Sequence, residues 1–532
     1  MTRRHITMSF CVLAATLFMS CASHRPPVVV NDLRAAERVV VSTTYGPIAG
    51  YADNGISMFL GIPYARPPVG DLRFAPPKEP ERWTNIFPAV SYGPVAPQHL
   101  DETEPASSFW QSEDCLSLNV WTPAADSKRR PVIFYIHGGG FLLGGTADPS
   151  YNGEEFARRG DVVFVSANYR LGVFGFLYLD NKGDEFRGSG NLGLMDQIAA
   201  LKWIKENISR FGGDPGNVTI MGESAGGISV GMLMSIPSAK GLFHKAIAQS
   251  GAPDTNRTRE EGERFTKVFM ETAGVTDVPG LRKLTVAAMV DAQKRFIAKY
   301  GLEADMLFSP VIDGALIPKD PYEAIREGSA AGIPLLHGTT KDEFRYWLQY
   351  EPMMKFITPG MLISMAPNFS RRIGNSRDRI IDHYKAEYPK MASGDLSMQL
   401  ATDMAFWVPH IHLAEAQAAH AKTWMYMFSV PSQKDGGFYG ADHGVELPYV
   451  FYMMTVPWAA ERVGTPPPLD FARSVQDAWI AFARTGVPAA KGLPEWPAYD
   501  MQKRSTMILD LKSTVVSDPK KADRELFRGI LY

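Results

Sequence analysis

The chain has 532 residues, of which 45% are hydrophobic and 11% aromatic, and its formal net charge is −2. This length and apolar content are typical of a globular enzyme with a large core, and they exclude a fibrous or intrinsically disordered protein. The balanced charge supplies no basic face for a phosphate backbone, so we expect no nucleic-acid partner. No linker rich in Gly, Ser or Pro divides the chain, which favours one large domain.

The N-terminus is typical of an export signal. Arg3 and Arg4 precede an apolar run at 6–18, which ends at small residues around Cys21. A membrane-spanning helix needs about 20 apolar residues, so this shorter run predicts a signal peptide over 1–21. Two interpretations of its cleavage stay open. The order of apolar stretch, small residue and cysteine resembles a bacterial lipoprotein site, which would place a membrane-anchoring lipid on Cys21, whereas a small-x-small sequence at the same place fits plain cleavage. Either predicts an exported protein: periplasmic, extracellular or membrane-anchored.

After a polar stretch at 22–37, which we expect to be flexible, an ordered domain is predicted over 38–532. Apolar β-branched runs alternate there with helical patterns, which predicts a mostly parallel sheet covered by helices on both faces. Residues 255–422 are mostly helical in pattern and predict a large helical insertion. A last strand at 506–509 and a C-terminal helix close the predicted fold. Further predicted strands lie at 39–41, 132–136, 162–166 and 218–221, with a helix at 194–210.

Cysteine is scarce in this sequence. Two of its three cysteines lie in the predicted signal peptide, so no disulfide framework is available to the mature protein. Cys115 is left alone. We expect it to be a buried, unreactive thiol rather than a nucleophile.

A G-x-S-x-G sequence at 222–226 stands between the predicted strand at 218–221 and a helical pattern that begins near Ala225. A serine on a sharp strand-to-helix turn adopts a strained backbone, and the small residues around it let neighbouring segments approach, so its hydroxyl is presented at the end of the sheet. The helix N-terminus behind it favours developing negative charge. Ser224 is therefore the predicted nucleophile of an acyl-transfer reaction.

Three consecutive glycines at 138–140 follow His137 and another predicted strand. Unobstructed backbone N–H groups in such a loop can donate to an oxyanion together with the N–H that follows the nucleophile. We therefore predict an oxyanion hole formed by the amides of Gly139, Gly140 and Ala225, each donor typically worth about 3 kcal/mol of transition-state stabilisation. A flexible turn would explain one or two glycines but not three. His137 precedes the serine, so we expect it to have a structural role.

A serine hydroxyl is a weak nucleophile at neutral pH, so it requires a base and a carboxylate that orients the base. In hydrolases with this strand-turn-helix motif the chain order is Ser, then Asp or Glu, then His. His443 lies in a loop of small residues after an apolar run at 423–430, where a catalytic histidine has the freedom it needs. Asp342 and Glu343 both follow the apolar run at 334–338, and spacing alone leaves either of them as the acid.

Along almost the whole mature chain these motifs resemble the type-B carboxylesterases, the family that includes the cholinesterases and the bacterial p-nitrobenzyl esterases. The resemblance implies an α/β-hydrolase fold and a serine carboxylester hydrolase, which cleaves a carboxylic ester to acid and alcohol through an acyl-enzyme on Ser224 without a cofactor. It extends well beyond the nucleophile motif. The other matching stretches are 59–65, 112–120, 168–172, 193–197, 211–215, 249–252 and 496–497.

The resemblance also bears on the choice of acid and base. In this family the acid is a glutamate within a K-D-E-G stretch, which implies Glu343 rather than Asp342, and the histidine lies in a stretch similar to 443–449, which supports His443. A related amidase or lipase stays open, because the sequence does not show the leaving group. A non-enzymatic binding protein on the same fold is disfavoured, because Ser224 is present.

Three positions depart from the family pattern. Ala96 stands where eukaryotic members carry a cysteine, so the usual partner of Cys115 is missing. Phe344 replaces the glycine that follows the acid, which is expected to alter local packing rather than the chemistry. Trp110 does not align with the tryptophan that cholinesterases use against a quaternary ammonium, so no choline ester specificity is implied.

Phe141, Glu223 and Phe344 are the candidate substrate-binding residues beside the predicted site. The alternative interpretation of the two phenylalanines is that they pack in the hydrophobic core and do not bind substrate. Glu223 either biases the site toward cationic or hydroxyl-bearing substrates or supports the catalytic histidine or a buried water, and we favour the supporting role. His410 and His412 could suggest a metal site, but the sequence offers no third ligand for it, so we expect no metal. A small-molecule ester is the expected partner, and no protein partner is implied.

Overall fold

The computed structural model describes residues 37–99, 109–300 and 307–531. The predicted signal peptide over 1–21, with Cys21, lies outside the described residues, as does all but the last residue of the stretch at 22–37. Glu37 already belongs to the first strand. No helix within the described part of the chain combines the length and the apolar character needed to cross a membrane.

One sheet of thirteen strands forms the centre of the described structure. The strand order is 1-2-3-5-7-6-8-9-10-11-12-13, with strand 4 paired to strand 2. The strands are β1 (Glu37–Ser42), β2 (Pro47–Asp53), β3 (Ile56–Pro63), β4 (Phe87–Pro88), β5 (Ser117–Thr122), β6 (Arg130–Ile136), β7 (Val163–Ala167), β8 (Gly213–Glu223), β9 (Lys245–Gln249), β10 (Leu335–Thr340), β11 (Thr423–Phe428), β12 (Ser505–Leu509) and β13 (Thr514–Ser517).

The pairing is parallel from β7 through β6, β8, β9, β10 and β11 to β12. Among the described strands, antiparallel pairs occur only toward the two edges, among β1, β2, β3, β5 and β7 and between β12 and β13. The mostly parallel sheet predicted from the sequence is therefore confirmed. The prediction that the strand at 506–509 is the last was wrong, because β13 follows it. This edge strand is largely exposed and lacks the buried pattern that marks the central strands.

Helices cover both faces of the sheet, as the side-chain alternation of β6 illustrates. Val132, Phe134 and Ile136 enter one hydrophobic core, whereas Ile133 and Tyr135 enter a second core. The α-helices are α1 (Glu154–Gly160), α2 (Gly172–Phe176), α3 (Leu192–Asn207), α4 (Ala225–Ser235), α5 (Arg259–Ala273), α6 (Val278–Lys283), α7 (Val286–Ala298), α8 (Pro321–Arg326), α9 (Pro359–Met365), α10 (Pro367–Ile373), α11 (Arg377–Glu387), α12 (Ser393–Thr402), α13 (Val408–Ala418), α14 (Leu447–Val450), α15 (Pro457–Val463), α16 (Leu469–Thr485) and α17 (Lys521–Phe527).

Helices α5 to α13, interrupted by β10, form the predicted helical insertion. The carboxyl ends of the seven parallel strands meet at one edge of the sheet, where open α/β sheets gather their ligand sites. The loops that leave these ends carry every residue predicted to take part in catalysis. The glycine loop follows β6, Ser224 follows β8, Glu343 follows β10 and His443 follows β11.

Candidate active site

Ser224 occupies a strained turn between β8 and α4. Its backbone has φ 57° and ψ −125°, a conformation that costs a non-glycine residue of order 1–3 kcal/mol and persists only where surrounding contacts hold it. The Ser224 N–H donates to the carbonyl of Gln249 at 2.9 Å, and its own carbonyl accepts from Ile228 N–H at 2.9 Å. A Cβ at Gly226 would lie 2.0 Å from the carbonyl oxygen of Ile136, so only glycine allows α4 to start this close to β6.

The glycine loop passes directly beside the nucleophile. A Cβ built on Gly138 would lie 3.0 Å from Ser224 Cβ. Gly139 and Gly140 have φ values of +98° and +62°, which turn the loop sharply. The amides of Gly139, Gly140 and Ala225 donate to no other residue in the described part of the chain. The loop and the turn at Ser224 therefore contain three backbone N–H groups without a hydrogen-bond partner among the described residues.

Two side chains brace this loop from outside. The Gln98 side chain forms two hydrogen bonds with the backbone of Gly144, each 2.8 Å long. Tyr169 donates its hydroxyl to the His137 carbonyl at 2.9 Å and stacks on the His137 ring at a centroid distance of 4.4 Å. Burial lowers the pKa of His137 to about 4, so this ring is neutral at pH 7. His137 has a supporting position, and Gln98 is a bracing residue that the sequence analysis missed.

His443 and Glu343 form a hydrogen bond of 2.6 Å between Nδ1 and Oε2. The other carboxylate oxygen of Glu343 accepts from Thr340 N–H at 2.8 Å, and the side chain is completely buried. Asp342 lies elsewhere: its Oδ2 accepts from Ala441 N–H at 2.9 Å, in the loop that leads to the histidine. Of the two acids that spacing left open, the structure places Glu343 on the imidazole and Asp342 on the supporting loop.

Glu223 contacts the opposite side of the same imidazole. Its Oε1 lies 3.2 Å from His443 Nε2, and no hydrogen bond joins His443 to Ser224 among the described residues. Burial alone would lower the pKa of His443, but the carboxylates of Glu223 and Glu343 outweigh it and raise the pKa to about 9. Burial in turn raises the pKa of Glu223 to about 7. Catalytic hydrogen bonds to the nucleophile often tighten only when substrate binds.

A buried polar network lies behind these residues, and the sequence analysis missed it. The Gln249 side chain donates to Glu446 Oε1 at 3.2 Å and accepts from Trp479 Nε1 at 3.1 Å. Burial raises the pKa of Glu446 to about 8. Gln249 belongs to a stretch that resembled the family, and this was the one signal available from the sequence. The network holds the end of β9, where the Gln249 carbonyl accepts a hydrogen bond from Ser224 N–H.

The two candidate phenylalanines differ in their surroundings. Phe141 is 1% exposed and its ring packs on Phe176 at 4.9 Å, so it is part of the core rather than an open wall of the site. Phe344 is half-buried and its ring lies 4.9 Å from that of Trp347. Trp347 in turn lies 5.3 Å from the His443 ring. Of the two phenylalanines, Phe344 is the one whose ring contacts a side chain, Trp347, that in turn contacts His443.

Several further residues take no part in the contacts described so far. Cys115 is buried and forms no disulfide, and burial raises the pKa of its thiol. Arg170 and Asp196 form a buried ion pair at 2.7 Å. His410 accepts from Gly251 N–H, whereas the His412 ring stacks on that of Tyr322. No group of three or more His, Cys, Asp or Glu side chains is arranged to hold a metal ion within the described ranges.

Comparison with known proteins extends the resemblance over the whole domain. The model of the carboxylesterase family matches residues 37–527. The para-nitrobenzyl esterase of Bacillus subtilis is 39% identical over 496 residues, which cover 91% of this chain and 98% of that protein. The phenmedipham hydrolase of Pseudarthrobacter oxydans is 34% identical over 93% of this chain and 99% of its own length.

Solved structures give the same result. The crystal structure of a Geobacillus stearothermophilus carboxylesterase at pH 6.2 superposes with a TM-score of 0.83 and 39% sequence identity, covering 92% of this chain and 99% of that chain. A structure described as a thermophilic pNB esterase has a TM-score of 0.81 and 37% identity, with the same coverage. The expected α/β-hydrolase fold is confirmed. The chain belongs to the carboxylesterase family.

Proposed function

We propose that Ser224, His443 and Glu343 carry out carboxylic ester hydrolysis in this carboxylesterase by two-step acyl transfer. The observation that carries the proposal is the 2.6 Å hydrogen bond between His443 and Glu343. It joins side chains 100 residues apart, from the ends of two different strands, at the sheet edge where Ser224 stands on its strained turn. This is the arrangement that a serine hydrolase needs in order to orient its base.

In the first step Ser224 Oγ attacks the ester carbonyl carbon while His443 Nε2 takes the hydroxyl proton. Glu343 holds the Nδ1–H side of the ring and stabilises the imidazolium that forms. The imidazolium then protonates the leaving alcohol, and the acyl group stays on Ser224 as an ester. In the second step water attacks this ester, His443 takes a proton from the water, and the carboxylic acid leaves as the proton returns to the serine.

Each tetrahedral intermediate carries its negative charge on the former carbonyl oxygen. The amides of Gly139, Gly140 and Ala225 are the proposed donors to this oxyanion, because they lie beside Ser224 and donate to no other described residue. Donors held ready in this way need no reorganisation when the charge develops. The start of α4 at Ala225 adds the favourable dipole of a helix N-terminus.

Modification of the nucleophile tests the proposal. An organophosphate should phosphonylate the wild-type enzyme once, on the peptide that contains Ser224, and abolish hydrolysis of p-nitrophenyl acetate. The substitution Ser224→Ala should lower kcat by roughly a millionfold, the scale observed when the nucleophile of a triad is lost. Ser235→Ala, at the other end of α4, is the matched control and should keep wild-type activity. Unchanged ester turnover by Ser224→Ala would contradict the assignment.

A small-molecule carboxylic ester is the proposed substrate. The relatives act, by their names, on para-nitrobenzyl esters and on phenmedipham. A p-nitrobenzyl ester, phenmedipham and a series of p-nitrophenyl esters of increasing acyl length are therefore the first compounds to compare. The ratio of kcat/KM across this series measures which part of the substrate the site recognises.

We also propose that the protein is exported through the signal over 1–21. The proposal rests on Arg3, Arg4 and the apolar run before Cys21. The mass of the mature N-terminal peptide distinguishes the two routes. A lipid adduct on Cys21 would support membrane anchoring, and an unmodified N-terminus close to that position would support free secretion. A retained Met1 on the mature protein would contradict export.

A further inference from the structure

Two buried histidines that the acyl-transfer mechanism does not use lie next to each other behind the nucleophile. His337 belongs to β10 and His410 to α13, and both side chains are completely buried. Their Nδ1 atoms are 3.0 Å apart, and their ring planes make an angle of 5°. The ring centroids are 5.3 Å apart, much farther than the two nitrogens, so the rings meet edge to edge in nearly one plane rather than face to face. Coplanar rings that meet at their nitrogens place an N–H of one ring along the lone pair of the other, which is the geometry of a hydrogen bond.

The hydrogen bonds determine where each ring carries its proton. Gly251 N–H donates to His410 Nε2 at 2.9 Å, so this nitrogen is an acceptor and the proton of His410 resides on Nδ1. That proton is donated to His337 Nδ1, which leaves the proton of His337 on Nε2. Burial lowers the pKa of His410 to about 3, and burial together with His410 lowers that of His337 well below its usual value. Both rings are therefore neutral at pH 7.

Gly251 links this pair to the nucleophile. A Cβ on Gly251 would lie 2.1 Å from the Ser224 carbonyl oxygen and 2.8 Å from Ile228 N, so its backbone packs directly against the turn. Ser250, which precedes Gly251, has φ 46°, so it has a strained backbone, as Ser224 does. Its N–H donates to the Gly338 carbonyl at 2.8 Å. The hydrogen bond from Gly251 N–H to His410 is a further contact that holds this segment in place.

We propose that His410 is a positioning residue for Ser224, acting through Gly251, and that His337 fixes the tautomer of His410 that can accept the Gly251 hydrogen bond. The proposal rests on the proposed role of Ser224 as nucleophile. Filling of the core does not account for the pair, because His337 Nε2 has no hydrogen-bond partner among the described residues. A buried donor without a partner destabilises the fold, and two apolar side chains of similar size would avoid this cost.

Substitution of His410 tests the effect on the nucleophile. His410→Leu removes the acceptor, His410→Gln retains an acceptor oxygen, and His412→Leu removes the other histidine of α13, which contacts Tyr322 instead. For His410→Leu we expect kcat for p-nitrophenyl acetate and the rate of phosphonylation by an organophosphate to fall together, about 10- to 100-fold, with KM within twofold of wild type. His410→Gln should recover most of the loss, and His412→Leu should stay within twofold of wild type.

Phosphonylation separates the two proposals. If Ser224 of the wild type is phosphonylated but folded His410→Leu reacts at the wild-type rate, the positioning role is overturned and the proposed function stands. If Ser224 of the wild type is not phosphonylated, the proposed function fails and the positioning role fails with it.

The tautomers can be observed in the wild-type enzyme, so the test does not depend on a variant that folds. In protein labelled with [15N]histidine, two-bond N–H correlations should assign the proton of His410 to Nδ1 and that of His337 to Nε2, and neither ring should become charged between pH 5 and pH 8. A proton on His410 Nε2 would overturn the proposal, because that nitrogen could no longer accept from Gly251.

Discussion

Glu223 Oε1 lies 3.2 Å from His443 Nε2, the ring nitrogen that takes the proton from Ser224 in the proposed mechanism. A carboxylate at this distance stabilises the imidazolium, and together with Glu343 it raises the pKa of the base to about 9 despite the opposing effect of burial. At neutral pH the base is therefore mostly protonated before substrate binds. In the proposed mechanism Glu223 therefore influences how readily His443 can act as the base.

Removal of this charge should shift the pH profile of the enzyme. In Glu223→Gln the carboxylate that raises the pKa of His443 is lost, so the neutral base is available at lower pH. We expect the acid limb of kcat/KM for p-nitrophenyl acetate to move to lower pH, by about one unit or more. Glu351→Gln, which changes an exposed carboxylate, is the control and should leave the profile in place, because solvent and salt screen that charge. An acid limb that stays in place in Glu223→Gln would show that the charge of Glu223 does not act on His443.

The raised pKa of His443 also makes stability depend on pH. Its folded pKa of about 9 is above its unfolded value of about 6.5, so its ionisation stabilises the fold fully below pH 6.5, and this contribution is lost as the pH rises through 9. The difference in Tm between wild type and His443→Gln should therefore shrink when the pH is raised from 6.5 to 10. His412 has a pKa lowered by burial to about 4, so the corresponding difference for His412→Gln should stay constant over that range.

The two adjacent acids should differ sharply when each is converted to its amide. Glu343→Gln removes the charge that orients the His443 ring, and we expect kcat to fall about a thousandfold to ten-thousandfold. Asp342→Asn keeps an oxygen that can accept from Ala441 N–H, so kcat should stay within tenfold of wild type. Steady-state kinetics with p-nitrophenyl acetate measures both effects. Equal losses in the two variants would indicate that the charge of Asp342 also acts on the base.

Adding a single methyl group to the glycine loop should lower kcat strongly. In Gly139→Ala the new Cβ would lie 2.2 Å from the Leu143 carbonyl oxygen, so the loop must move and at least one proposed oxyanion donor is displaced. The loss of one such donor typically lowers kcat about a hundredfold to a thousandfold. Gly241→Ala is the control, because φ is +77° there and no atom lies within 4 Å of the new Cβ. It should show the conformational cost of the substitution as a small decrease in Tm, with kcat unchanged.

Local sequence was sufficient for the nucleophile and for the central strands. The alternation of strand and helix around 222–226 predicted β8, the turn at Ser224 and α4, because hydrophobic periodicity and turn residues act over a few positions. It was not sufficient for β13, an edge strand with little buried surface. Nor did it reveal Gln98, since its two hydrogen bonds reach 46 residues along the chain.

What the sequence by itself determined was therefore the type of chemistry and the family, together with the positions of Ser224 and His443 in loops at strand ends. Only the tertiary structure decided which groups surround them. Spacing could not separate Asp342 from Glu343, because both follow the same strand, and the packing of the β10 and β11 loops placed one on the imidazole and the other on the supporting loop. The contact of Glu223 with His443 has the same origin. Contacts between residues 100 or more positions apart depend on the order and packing of the strands, which no local pattern records.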